Sequence, residues 1–122
     1  MSQHVVMYNE PHGATLATQP APIAEGVDYA GWSIMTTESA GVSVIVLKGE
    51  PDAVEFPMHA VPDAYFGYVV AGQVIIHAGN ADGEKLDETT LTAGDLLTLE
   101  PDTQHAWVNT GGPAEIIFTK PA

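Results

Sequence analysis

Two histidines stand where side chains could do chemistry. His59 follows Pro57-Met58 and opens a turn leading into the apolar run Tyr65 to Val70. His105 follows the tight turn Pro101-Asp102-Thr103-Gln104 and opens the run Ala106 to Asn109. Imidazole titrates near neutrality and is the commonest metal ligand, so a pair at strand openings suits a divalent ion or a proton transfer. Strand alternation places Trp107 and Asn109 on the same face as His105. The chain contains no cysteine, which excludes thiolate metal sites, disulfides and cysteine nucleophiles. It also lacks a G-x-S-x-G elbow, a phosphate-binding glycine loop and an H-E-x-x-H helix. For glycoside cleavage, neither Glu55 nor Asp63 has a carboxylate partner placed by any motif.

The elements that must position these histidines are short strands. Twelve Gly and nine Pro are spread over 122 residues, and past the N-terminal ten residues no stretch free of both is longer than Glu84 to Ala93. Helices of ordinary length, about 11 residues, have almost nowhere to fit. The segments between breakers are rich in Val, Ile, Thr and aromatics: Trp32 to Thr37, Val42 to Lys48, Tyr65 to Val70, Gln73 to His77, Leu96 to Leu99, Ala106 to Asn109 and Glu115 to Thr119. Such runs at roughly 8–12-residue spacing predict an all-β sandwich or barrel. Gly49 to Asp52, Gly79 to Gly83 and Asn109 to Pro113 read as turns. Residues 1–26, which contain His4 and His12, read as an N-terminal arm that adds an edge strand to its own sheet or a partner's. Residues 27–122 form the single β domain.

Composition bounds the partners. Sixteen Asp and Glu face three lysines and no arginine, for a formal net charge of −13. Nucleic acids and anionic membranes are excluded as partners, because both are held by Lys and Arg. Sugar acids and phosphates are disfavoured as ligands for want of a guanidinium fork. No basic region followed by an apolar run opens the chain, and apolar runs fall far short of the ~20 residues of a membrane helix. A cytoplasmic, soluble protein is the expectation.

The stretch His59-Ala-Val-Pro-Asp-Ala-Tyr65-Phe-Gly-Tyr-Val-Val-Ala-Gly72 resembles the first motif of the cupins, G-x5-H-x-H-x3-4-E-x6-G. The stretch Gly94-Asp-Leu-Leu-Thr-Leu-Glu100-Pro-Asp102-Thr-Gln-His105-Ala-Trp-Val-Asn109 resembles the second, G-x5-P-x-G-x2-H-x3-N. Ala53 stands in for the leading Gly of the first; Glu100 and Asp102 replace the Pro and second Gly of the second. The resemblance covers residues 41 to 119. It implies a double-stranded jelly-roll β-barrel of roughly eight to ten strands and a homodimer, often formed by exchange of N-terminal strands. Metal-binding cupins hold their ion with two His and a Glu of the first motif and a His of the second. Carried over by position, His59 and His105 are ligands, while the second His position is Val61 and the Glu position is Tyr65.

Two ligands out of four leave a weak site for Fe, Mn, Ni or Zn. Tyr65, Asp63 and Glu55 are the further candidate ligands, Tyr65 only for a strong Lewis acid such as ferric iron. Three functions follow. One is a metal-dependent cupin enzyme acting on a small, not strongly anionic organic molecule by oxygen-dependent cleavage, lyase or isomerase chemistry. Another is a metal-free small-molecule binder whose cavity is lined by Val61, Tyr65, Trp107 and Phe56, with Met58 as a further wall. The third is a structural or regulatory dimer with a plugged barrel. Each residue has a plainer reading too: His59 and His105 as rim residues, Tyr65, Trp107 and Phe56 as core, Asn109 as a turn cap. His77 is expected to be exposed, and the acidic stretch at Glu84, Asp87 and Glu88 to be a solvated loop.

Overall fold

The computed structural model describes residues 3–20 and 25–122, and within them every element is a β-strand. The first two, β1 (Gln3–Glu10) and β2 (Gly13–Pro20), form a hairpin turned by Pro11-His12 and pair only with each other. The arm is thus a self-paired hairpin. The edge strand is the next segment, β3 (Glu25–Tyr29), which straddles the boundary placed at residue 26. After it come β4 (Trp32–Ser39), β5 (Val42–Gly49), β6 (Phe56–His59), β7 (Tyr65–Gly79), β8 (Lys85–Thr92), β9 (Leu96–Leu99) and β10 (His105–Pro121). Asp87 and Glu88 therefore lie on a strand and not in a loop, while Glu84 precedes it: Leu91 alternates into the core and Lys85 to Thr90 stay exposed on an edge.

These last eight strands make one antiparallel sheet folded over on itself. β7 and β10, the two longest, are hydrogen-bonded along most of their length and bend from one layer to the other. The C-terminal half of β10 pairs with β5, and the N-terminal half of β7 pairs with β9, extending the layer that begins β3-β4-β5. Their other halves pair with β6 and β8 in the facing layer. The result is the expected all-β jelly roll, although the sheet is not closed into a complete barrel. Tyr65 to Val70 and Gln73 to His77, separate runs in the sequence, are one strand. The bend between them comes at Gly72, whose φ of +76° and closeness to Pro113 (an added Cβ would lie 1.9 Å from its carbonyl oxygen) admit only glycine. Asn109 to Pro113 likewise interrupts pairing inside β10 rather than ending a strand. There Asn109 caps the excursion, donating to the carbonyls of Glu50 and Gly112 and accepting from the Gly111 N–H.

Between the layers lies the core. Trp32, Leu47, Val69, Leu99, Ile116 and Phe118 come from one face, and Val74, Ile76, Leu91 and Trp107 from the other. Gly67 lets Phe118 sit flat against the backbone, since a Cβ there would meet its ring at 2.7 Å. Inward positions follow period two along each strand, so the opposite face of the first layer is left outside. On it the cross-strand row Met35, Val46, Ile117, Tyr68, Leu96 is apolar, with Met35, Tyr68 and Leu96 exposed.

Candidate functional site

β6 ends and β10 begins at the same level of the sheet, so that His59 and His105 are directly opposed cross-strand partners. Their ring centroids are 4.2 Å apart. The two turns that deliver them are tied together by the backbone: the Asp102 N–H donates to the Val61 carbonyl at 2.8 Å. Asp102 makes that bond at a φ of +63°, a left-handed conformation that Asp tolerates better than most residues. Each ring is then fixed in the same way. His59 Nδ1 lies 2.8 Å from the Pro57 carbonyl oxygen and His105 Nδ1 lies 2.9 Å from that of Thr103. A carbonyl only accepts, so both Nδ1 atoms carry the proton and donate it. In each neutral ring Nε2 is left as an unprotonated lone pair.

Both rings border a cavity of about 270 Å³ between the layers. Its aromatic walls are Phe56, Tyr65, Trp107 and Phe118, and Val61 is also part of the lining. Ile34, Ile45, Leu47 and Leu99 complete the apolar lining, and Thr36 is the one other polar residue besides Tyr65. The rings stack by edges and tilts: Phe56 on His59 at 4.9 Å, His105 on Trp107 at 5.6 Å, Trp107 on Phe118 at 5.8 Å and Phe118 on Tyr65 at 6.0 Å. The four residues expected to line a pocket, Val61, Tyr65, Trp107 and Phe56, all meet here; Met58 is not part of the wall. Thr36 and Phe118 had no sequence signal beyond alternation, because only the register of β4, β5 and β10 carries them to the histidines. A larger recess of about 680 Å³ by Gly111 to Pro113 contains neither histidine.

Burial disfavours charge on two of the groups that line this cavity. Burial pushes the His105 imidazole below its ordinary range, partly offset by the hydrogen bond to Thr103 and reinforced by His59. Burial also raises Tyr65, with Lys120 opposing and Asp63 reinforcing, so its phenol stays protonated. The three lysines are ion-paired outside the cavity: Lys48 with Glu115 at 3.3 Å, Lys120 with Asp63 at 3.2 Å, and Lys85 with Glu55. Those pairs hold both carboxylates considered as extra ligands, Asp63 and Glu55, and neither lines the cavity. His77 is half-buried in register with Ala106 and Glu88, less open than expected. His4 faces Gln19 across the N-terminal hairpin and His12 sits at its turn.

The donor set can therefore be compared with what a resident ion needs. Among the described residues no group of three His, Asp or Glu converges on one point. Val61 has no donor atom and Tyr65 keeps its proton, so the four-ligand site of the motif does not fit; two imidazole nitrogens do.

A family model described as the cupin domain matches residues 43–120. No curated protein matches the chain. Among solved structures, an RmlC-like cupin from Shewanella frigidimarina is 25% identical with a TM-score of 0.63, over 80% of this chain and 84% of that one. An oxalate decarboxylase from Lactobacillus farciminis, in a formate complex, is 16% identical with a TM-score of 0.66 over 84% of this chain. An oxalate oxidase is 20% identical with a TM-score of 0.62, over 76% of this chain and 52% of that one. The chain spans about a third of the length of the oxalate decarboxylase.

Proposed function

Since the chain belongs to the cupin family, whose shared fold does not fix a reaction, we propose that it binds a small, not strongly anionic organic molecule in the His59–His105 cavity. One observation carries this reading: two imidazoles, each with its Nδ1 tied to a carbonyl and its Nε2 left without a proton in the neutral ring, line a mostly apolar cavity of about 270 Å³. A mostly apolar hollow with a few placed polar groups is the usual form of a small-molecule site. Oxalate, named for two of the structural neighbours, is a dianion, and no lysine or arginine lines this cavity to receive it. Ligand-observed NMR with a library of one-ring compounds tests the proposal. Hits that vanish in a His59→Leu/His105→Leu variant support it; no hits on the native protein refute it.

A second reading is a weak metal site of two histidines, for Fe, Mn, Ni or Zn. It is favoured by the carbonyl bond at each Nδ1, since ligating imidazoles characteristically donate their other N–H in this way. The ion would sit on His59 and His105 and polarise a bound molecule. Metal content of dialysed, untagged protein after incubation with each ion, beside the double variant, decides it: stoichiometric metal lost in the variant supports the site, and none in either sample refutes it.

We also propose a homodimer. The N-terminal hairpin exposes Val5, Met7 and Leu16 on one face and carries a single acid, Glu10, in a chain of net charge −13. The exposed row Met35, Tyr68, Leu96 on the sheet's outer face is a surface of matching character. Sedimentation of the full chain as a dimer, and of a Met7→Asp/Leu16→Asp variant as a monomer, is the expected result; a monomeric native chain overturns it.

A further inference from the structure

We propose that the ligand of the His59–His105 cavity is a neutral, one-ring molecule that donates a hydrogen bond through a hydroxyl, that is, a phenol. This rests on the small-molecule reading above and adds what the two imidazoles select.

The hydrogen-bond inventory sets the polarity of the ligand. Neither the Pro57 nor the Thr103 carbonyl has a proton to give, so each Nδ1–H is consumed by its own backbone two residues upstream. In its neutral form each ring therefore presents an acceptor. A carboxylate, ketone or ether placed against them sets lone pair against lone pair, and a buried acceptor without a donor is destabilising. An O–H group reverses the sign. Of the remaining polar lining, Thr36 and Tyr65 carry hydroxyls that act as donor or acceptor, and Trp107 carries an indole N–H that only donates; a ligand hydroxyl can accept from one of these while it donates to an imidazole, which a pure acceptor cannot do.

Size and walls set the rest. An apolar cavity of about 150 Å³ is enough for benzene, so about 270 Å³ takes one substituted ring and not two. Phe56, Trp107 and Phe118 already meet their neighbours at tilted and edge-on angles, the arrangement in which an inserted ring gains most from contact. No ammonium or guanidinium lines the cavity to offset a ligand charge.

The test is calorimetric titration of the full chain, in EDTA and at pH 8, above the imidazole range near 6.5, with phenol, toluene, anisole and benzoate. Phenol should bind at least about fivefold more tightly than toluene or anisole, the worth of one net hydrogen bond, and benzoate should bind worst. In His59→Leu/His105→Leu the phenol-to-toluene ratio should fall to about one, and the single His59→Leu variant, at the half-buried position, should lower it in a fold left intact. Toluene or anisole matching phenol, benzoate binding best, or a ratio unchanged by both variants would overturn the hydroxyl assignment while leaving a working cavity. Absence of binding by all four compounds would overturn the small-molecule reading with it.

Discussion

Restoring the missing half of the metal site should convert a weak two-donor site into a strong one. The perturbation is Val61→His with Tyr65→Glu, which places His and Glu at the two motif positions where this chain has neither, on residues that already line the cavity beside His59 and His105. Structural zinc sites of four donors are worth about 10–16 kcal/mol, or roughly 2.5–4 kcal/mol per donor. Two imidazoles then supply about 5–8 kcal/mol, a dissociation constant between roughly 0.2 mM and 1 µM. Two more donors add a similar amount, about 10⁴- to 10⁶-fold. From this must be subtracted the loss of Tyr65 packing on Phe118 and the desolvation of the new carboxylate, whose attraction to Lys120 offsets its repulsion by Asp63. A gain of about a thousandfold is the expected net, with each single variant near the geometric middle. Competition with a chromophoric chelator for zinc at neutral pH measures it, with circular dichroism confirming the sheet. Submicromolar zinc binding by the native chain would refute the reasoning, since it would require a third protein donor that the donor set does not contain. So would a folded double variant gaining less than about tenfold.

Other perturbations read the same structure. His105 is held below its unfolded pKa, so the native state favours the neutral ring; that stability is complete above the ordinary imidazole value and is lost as pH falls through and below about 6.5. The midpoint of thermal unfolding should fall more steeply between neutral and acid pH in the native chain than in His105→Gln, and equal slopes would contradict the burial argument. Phe118→Ala removes a buried ring that touches both Trp107 and Tyr65, and should cost about 3–5 kcal/mol in urea unfolding. Gly72→Ala should cost more than about 2 kcal/mol, because its Cβ collides with the Pro113 carbonyl at a φ that L-residues avoid.

Much of this architecture is legible in the residues because strand punctuation and turn chemistry are local. Gly49 to Asp52 and Gly79 to Gly83 do turn, and Val42 to Lys48 and Leu96 to Leu99 are strands within a residue or so. What is not local was hidden. Gly72 reads as a breaker, yet β7 continues through it, because pairing with β10 on both sides carries the chain past two register shifts. Lys85 to Thr92 shows no apolar alternation since it is an edge strand contributing only Leu91 to the core. The histidine pair was visible through its two turns, but its wall was not: Phe118 and Thr36 lie 59 and 23 residues from His59 in sequence and arrive by strand register alone. Glu55 and Asp63 lie outside the cavity for the converse reason. They are near His59 in the chain, but Lys85 and Lys120, far from it in sequence, are the partners the fold gives them.

The two substitutions that separate this site from the metal-binding motif act together on charge. A four-ligand site balances a divalent cation with a carboxylate inside the sheet. Here the His position is Val61 and the Glu position is Tyr65 with its proton retained, so neither the cation's extra donor nor the anion that would offset it is present. Removing one alone would have left either a buried carboxylate without its counter-charge or a metal short of a single donor, and a lone buried charge is the costlier fault. Removing both leaves a cavity lined by no carboxylate, lysine or arginine inside a chain of −13, with every lysine engaged by a carboxylate outside it. The acidic exterior then repels anions before they reach the mouth, and the apolar interior gives them no counter-ion once there. On the reading proposed above, the two imidazoles that stand at the motif's ligand positions serve a neutral molecule as hydrogen-bond acceptors.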